Sequence, residues 1–247
     1  VNPRVLITRP PERAAELIRK LAEKQISGFA EPVTRTVFLL LEWPLPELRD
    51  YTWIAFTSAN GVAAFAELLK ERKLSIPQAT QIAVVGPATA EVATQAFRNP
   101  DLIVTQNDAA GLAEALLESK KQCRLLNILW PCANKTTNEF TTRLIAGHAS
   151  VLPLPVYSTE ALEPHDLRKR LEDLAPWKAA VFAAPSAVKA FAAAWPLPWN
   201  FEAVAIGETT AHTLHSIKAP SVRVSPSPRA EDLTQTILDA IQVEAHE

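Results

Sequence analysis

The sequence predicts an α/β protein made of two doubly wound parallel-sheet lobes, joined by a two-stranded tether, with the second lobe inserted in the first. Three observations predict it. Short apolar runs alternate with helical stripes along the chain, nearly every piece of one half has a counterpart about 120 residues away, and the two copies are nested rather than consecutive.

Val5-Leu6-Ile7 is an apolar run that reads as a strand, and Pro10 to Lys24 places Leu17, Ile18 and Leu21 on one helical stripe. A second strand is expected after Gly28, then a first tether strand over Glu31 to Val37, with Pro44 and Pro46 interrupting regular structure. Trp53 to Thr57 reads as a buried strand, backed by a helix carrying Val62, Phe65 and Leu69. Strand and helix then alternate: Ile82 to Val85 with Ala88 to Phe97, Leu102 to Val104 with Ala109 to Leu117, and Leu125 to Leu129 with Thr137 to Ile145. Leu152 to Glu160 forms the second tether strand, sharing a Pro-Val-x-x-Thr-like pattern with the first. Ala179 to Phe182, Ala203 to Ile206 and Val222 to Val224 are strands each followed by a helix, the last helix bearing Leu233, Ile237, Leu238 and Ile241 on one face. Such alternation argues for parallel sheets covered on both faces.

The repeat sets the domain plan. Ala55 to Phe65 answers Val181 to Phe191, Val85 to Ala90 answers Ile206 to Ala211, Asp101 to Thr105 answers Ser221 to Ser225, and Leu6 to Pro10 answers Asn127 to Pro131. Each lobe is then a five-strand unit, the first supplying its last three strands only after residue 178, so lobe one spans 1–34 and 160–247 and lobe two 35–159. Flavodoxin-like units of this kind have strand order 2-1-3-4-5 and gather ligands at the carboxyl ends of strands one and three. The rule singles out Thr8-Arg9-Pro10 and Pro185-Ser186-Ala187 in lobe one, and Trp130-Pro131 and Thr57-Ser58-Ala59-Asn60 in lobe two. Gly207-Glu208-Thr209-Thr210 and Gly86-Pro87-Ala88-Thr89 follow the adjacent fourth strands. Their hydroxyls are expected to cap the following helices, whose first N–H groups attract anions, so a ligand with several carboxylates or phosphates is expected.

Composition removes other classes. Net charge is −2 with both signs scattered, which excludes the basic footprint of a nucleic-acid or anionic-lipid binder. No apolar run has the length of a membrane span, and Val1-Asn2-Pro3-Arg4 leads into a strand without a signal-peptide pattern, so a cytoplasmic protein is expected. Methionine is absent, as expected of a chain whose initiator was removed. Cys123 and Cys132 have the spacing of neither a metal knuckle nor a redox pair and read as reduced packing residues. His212 and His215 lack a third ligand and read as a solvated helix face, so no metal is expected. There is no nucleotide-binding glycine loop, and neither Ser58 nor Ser186 lies in a Gly-x-Ser-x-Gly elbow. Glu208, in the first turn of a helix, is explained by the helix dipole. With no acid/base pair in evidence, an enzyme built this way works by holding a reactive substrate in one geometry. Tyr157 sits on the second tether strand, where it is expected to face the cleft between lobes.

Val-Leu-Ile-Thr-Arg-Pro at 5–10, Phe-Thr-Ser-Ala-Asn-Gly-Val at 56–62, Val-Val-Gly-Pro-Ala-Thr-Ala at 84–90, Pro-Val-Tyr-Ser-Thr at 155–159, Ala-Ile-Gly-Glu-Thr-Thr-Ala at 205–211 and a Ser-Pro-x-Pro near 225 occur in one order. Together they resemble the uroporphyrinogen-III synthase family nearly end to end. The resemblance implies a monomeric carbon–oxygen lyase that cyclises the linear tetrapyrrole hydroxymethylbilane, with loss of water and inversion of ring D, without metal or cofactor. It implies that Tyr157 helps the hydroxyl leave, and that Thr89, Ser186, Thr209 and Thr210 bind substrate, with Ser58 and Asn60 beside them. Thr8, Arg9, Gly86, Ala187 and Gly207 join this set from the loops already named. The partner implied is the small-molecule substrate, with room for transient contact with the preceding pathway enzyme and none with nucleic acid or membrane. Pro131-Cys132-Ala133-Asn134-Lys135 stands where members often carry an Arg-Gly loop. The alternative is a two-lobed anion-binding or regulatory protein without catalysis.

Overall fold

The computed structural model describes residues 2–39, 44–105, 109–119, 125–136 and 138–242. Its elements begin with β1 (Arg4–Ile7), α1 (Pro11–Glu23), β2 (Ser27–Ala30), β3 (Thr34–Phe38), a 3-10 turn (Leu48–Asp50) and β4 (Trp53–Phe56). They continue with α2 (Ala59–Glu71), β5 (Gln81–Val85), α3 (Pro87–Ala96), β6 (Leu102–Val104), α4 (Ala109–Ser119), β7 (Asn127–Ala133) and α5 (Glu139–Ala146). The chain then forms β8 (Ser150–Ala161), α6 (Pro164–Leu174), β9 (Ala179–Phe182), α7 (Pro185–Ala194), β10 (Glu202–Ala205), α8 (Glu208–Ser216), β11 (Val222–Val224) and α9 (Ala230–Gln242). Two compact units result: residues 1–35 with 159–247, and residues 36–158.

The first unit holds a five-stranded sheet of order β11-β10-β9-β1-β2, the second a six-stranded sheet of order β3-β8-β7-β4-β5-β6. In the first, β1 pairs in parallel with β2 on one side and β9 on the other, so the strand order reverses between β1 and β9. In the second, β7 pairs in parallel with β8 and with β4, placing the reversal between β7 and β4. Each sheet therefore contains the 2-1-3-4-5 order of a doubly wound unit. The sixth strand, β3, lies beside β8, and the chain passes between the units inside these two neighbours.

Strands buried on both faces need apolar residues at consecutive positions, and the period of two sends alternate ones to opposite layers. Leu6, Ala180, Phe182, Ala203 and Ala205 enter a cluster with Leu167 and Leu171 of α6, Phe191 of α7 and Leu214 of α8. Val5, Ile7, Ala179, Val181 and Val204 enter the opposite cluster, with Leu17 and Leu21 of α1 and Leu233 and Ile237 of α9. The second unit repeats the device: Ile54, Phe56, Ile82 and Val84 pack toward α2 and α3, and Trp53, Ala55, Ala83 and Trp130 toward α4 and α5. The first unit adds an aromatic cluster in which Trp199 stacks on Phe182 at 5.6 Å and on Phe201 at 5.3 Å, and Phe191 meets Trp199 edge-on at 5.3 Å. Such pairs add about 0.5–1.5 kcal/mol each beyond the area they bury.

Several boundaries depart from expectation for identifiable reasons. Gly28 lies inside β2 rather than before it, because α1 packs so closely that a Cβ there would sit 3.2 Å from Ile18 and 3.3 Å from Leu21. Trp130 and Pro131 lie within β7, not in a loop, since β8 runs alongside and pairs Pro131 with Leu154. A proline is tolerated there because the β4 pairing of this strand ends at Leu129, so no ladder donor is missed on that side. Helix α6, not anticipated as an element, buries the stripe Leu167 and Leu171. The predicted start of α5 at Thr137 and the packing role of Cys123 lie outside the described residues.

Candidate functional site

In the second unit the candidate residues lie at the carboxyl ends of β4, β5 and β8. Ser58 occupies the N-cap of α2 in extended conformation, and its Oγ accepts the Gly61 N–H at 3.1 Å. Gly61 is required there, because a Cβ would stand 2.9 Å from the carbonyl oxygen of Pro131. Tyr157 is 8% exposed, its ring among the residues packed under α2 and α3. Its hydroxyl meets Ser58 Oγ at 3.0 Å. The strand position of Tyr157 is fixed by the β7 irregularity between Cys132 and Ala133, which pairs Ala133 with Tyr157, and by the Asn134 N–H donating to the Tyr157 carbonyl at 2.8 Å. Beside Ser58, Thr57 Oγ1 accepts the Trp130 indole N–H at 3.2 Å, and the half-buried Asn60 amide donates to the exposed Thr36 Oγ1 at 3.2 Å. Thr89 is buried in the first turn of α3.

In the first unit the candidates surround the β1–β9 reversal. Thr8 is buried, and both its N–H and its hydroxyl donate to the Val181 carbonyl, at 3.0 and 2.8 Å. Its proton is thus spent on joining β1 to β9, which leaves only lone pairs for a ligand. Arg9 follows, half-buried, with no acidic partner among the described residues; burial first and the neighbouring Arg13 second hold its guanidinium below the usual arginine value. An arginine stays charged nonetheless. Ser186 is exposed in the first turn of α7 and Ala187 is buried beneath it. Thr209 is exposed and Thr210 buried in the first turn of α8, after Gly207.

The expectation that hydroxyls cap these helices holds for Ser58 alone. The residues standing at the other caps are Pro10 for α1, Gly86 for α3, Ala184 for α7 and Gly207 for α8, none of which supplies a side-chain hydrogen bond. In α3, α7 and α8 the hydroxyl residues fall two or three positions later, inside the first turn, whereas Thr8 stands two positions before the cap of α1. The correction favours anions more than the expectation did, because uncapped N–H donors and the positive end of the helix dipole stay available. Thr89 and Thr210 correspond under the repeat, both are buried, and neither hydroxyl has a hydrogen-bond partner among the described residues.

Elsewhere the inventory is spare. Burial pushes the Cys132 thiol up to about 11, against a smaller opposing hydrogen bond from the Leu154 backbone. His212 and His215 are exposed on α8, and the described residues contain no group of three side chains arranged for a metal. No described helix is long and apolar enough to cross a membrane. The Ser58–Tyr157 contact escaped sequence reasoning, which named both residues separately; nothing in the sequence shows two side chains 99 positions apart to be neighbours until the β4-β7-β8 register is known.

The profile of the uroporphyrinogen-III synthase HemD family matches residues 15–235. The chain belongs to the uroporphyrinogen-III synthase family. A porphyrin biosynthesis protein HemD of Ruminiclostridium josui is 27% identical over 226 residues, covering 84% of this chain and 43% of that protein. The chain spans about half the length of the curated relatives it matches. Among solved structures, a uroporphyrinogen-III synthetase of Helicobacter pylori superposes with a TM-score of 0.70 at 19% identity, over 96% of this chain and 99% of that one. A mutant uroporphyrinogen III synthase of Thermus thermophilus gives a TM-score of 0.56 at 20% identity, over 97% and 99%. These structures establish that this member has the fold of the family.

Proposed function

We propose that the chain is a carbon–oxygen lyase that converts hydroxymethylbilane into uroporphyrinogen III, closing the ring with loss of water and inversion of ring D. The observation that carries this reading is the family match, which runs over residues 15–235 rather than over one lobe. The geometry supports it at two points. The starts of α1, α3, α7 and α8, which have no side-chain cap, together with the Arg9 cation, which has no acidic partner among the described residues, suit a substrate whose acetate and propionate arms are carboxylates. The Tyr157 hydroxyl, held at Ser58, suits a donor of a hydrogen bond to a departing hydroxyl.

In this reading the carbon–oxygen bond of the hydroxymethyl group breaks as Tyr157 shares its proton with the leaving oxygen. Ring D attacks the azafulvene methylene left behind through its substituted α-carbon, giving a spiro intermediate. The old bond from that carbon to its methylene bridge then breaks to a second azafulvene, which the other α-carbon of ring D attacks, and the proton lost from that carbon balances the water released. Because the open chain also closes unaided to isomer I, the protein contributes mainly by fixing which carbon of ring D attacks. Thr8, Gly86, Thr89, Ser186, Ala187, Gly207, Thr209 and Thr210 take substrate-binding roles, and Asn60 borders Ser58. The N–H groups of Thr8, Gly86, Ala187 and Thr210 already go to the carbonyls of Val181, Val104, Ala184 and Gly207, so donation to carboxylates falls to the other first-turn N–H groups and hydroxyls.

The test is an isomer assay in which freshly generated hydroxymethylbilane is incubated with the protein, the products are oxidised, and uroporphyrins I and III are separated. A large excess of isomer III over the protein-free control is expected. The same isomer I in both tubes would overturn the proposal, and bound tetrapyrrole without turnover would identify a binding or regulatory protein instead.

A further inference from the structure

Ser58 and Tyr157 bring two hydroxyl protons to one hydrogen bond, so one proton is left over. Ser58 Oγ already accepts the Gly61 N–H, and Gly61 is fixed in place by its close approach to Pro131. Either hydroxyl can donate, since a serine oxygen accepts twice: donation by Tyr157 leaves the Ser58 hydrogen over, and the role proposed for Tyr157 selects the other direction. Donation by Ser58 satisfies its hydrogen and leaves the phenolic proton of Tyr157 as the surplus one.

On this ground, and resting on the role proposed above for Tyr157, we infer that Ser58 is a positioning residue for Tyr157. The relay runs from the Gly61 N–H to Ser58, from the Ser58 hydroxyl to the phenol oxygen, and from the phenol proton to the leaving hydroxyl. Each bond polarises the next, so the phenol becomes a better donor as negative charge develops on its oxygen. Ser58 touches no reacting atom in this scheme. It holds the rotor of Tyr157 and stabilises the charge that donation leaves there.

A double-mutant cycle tests this. Initial rates of isomer III formation are measured for wild type, Ser58→Ala, Ser58→Thr, Tyr157→Phe and Ser58→Ala with Tyr157→Phe, over a range of hydroxymethylbilane concentrations. Ser58→Ala is expected to lower kcat about tenfold with KM changed less than about twofold, and Ser58→Thr, which keeps cap and donor, to restore most of the rate. In the Tyr157→Phe background, Ser58→Ala is expected to cost nothing further. The same loss in both backgrounds would overturn the inference and reduce Ser58 to a helix cap or substrate ligand, while a slow Tyr157→Phe would leave the reading of Tyr157 standing. A Tyr157→Phe variant as fast as wild type would remove the role of Tyr157 and the inference with it. Should Ser58→Ala fold poorly, Ser58→Gly replaces it, since glycine is tolerated at an N-cap.

Discussion

Arg9 sits in an environment that offers less than a surface arginine needs. Half-buried beside Arg13 and without an acidic partner among the described residues, it keeps its charge at the expense of lost hydration, which a bound carboxylate would offset. Arg9→Gln is expected to raise KM for hydroxymethylbilane about tenfold with kcat nearly unchanged, and Arg9→Lys to fall between. An unchanged KM would take Arg9 out of the substrate site. Cys132 illustrates the opposite case, a polarisable group made inert. With its thiol raised to about 11 by burial, only about a thousandth is thiolate at pH 8, whereas an unfolded cysteine is substantially ionised there. Iodoacetamide at pH 8, followed by peptide mass mapping, is expected to modify Cys132 at least about tenfold faster in denaturant than in the native protein. Equal rates would show that the β7 position is open to solvent.

Helix ends show where local sequence ceased to be a guide. The chain has only six glycines, so the usual terminal signal is scarce. Four helices nevertheless close with a non-glycine residue at positive φ: Gln25 after α1, Lys73 after α2, His148 after α5 and Lys218 after α8. Each has the same paired bonds, as in Ile26 N–H to the Leu21 carbonyl with Gln25 N–H to Ala22, and Ala219 N–H to Leu214 with Lys218 N–H to His215. Side chains at such positions crowd the backbone, and glycine relieves that strain while adding freedom to the unfolded chain. Gln25→Gly and Lys218→Gly are each expected to raise stability by about 0.5–1 kcal/mol in urea unfolding. Losses of that size would mean that the long side chains contribute packing that outweighs the strain. Element centres were legible because they rest on periodicity: β6, β9 and β11 lie where their apolar runs place them. Helix starts were less so, since whether Ser186 or Thr209 is a cap or a first-turn residue turns on a two-residue shift that only the loop path decides.

At the scale of the molecule, the duplication was the most legible feature, because equivalent strands need equivalent apolar runs and the loops at their carboxyl ends need equivalent small residues. That is why the correspondence of Gly86–Thr89 with Gly207–Thr210 survives as two helices with a glycine cap and a buried threonine. What the repeat could not give is the pairing of side chains between elements, such as Ser58 with Tyr157, which depends on register. The nested order has a thermodynamic consequence. Apart from the first two residues of β3 and the last three of β8, the six strands of one sheet and the helices that cover both its faces come from one continuous segment, residues 36–158, whereas the other sheet draws β1 and β2 from one end and β9 to β11 from the other. A segment with its own complete core has what an independently folding domain requires. Residues 36–158 expressed alone are therefore expected to unfold cooperatively in urea, with a defined near-ultraviolet signal from Trp53 and Trp130. Residues 1–35 expressed alone are expected to remain unfolded, since β1 lacks its β9 neighbour and α1 lacks α9. A non-cooperative 36–158 fragment would show that closing the β3–β8 edge depends on the remainder of the chain, and the two sheets would then have to be treated as one folding unit.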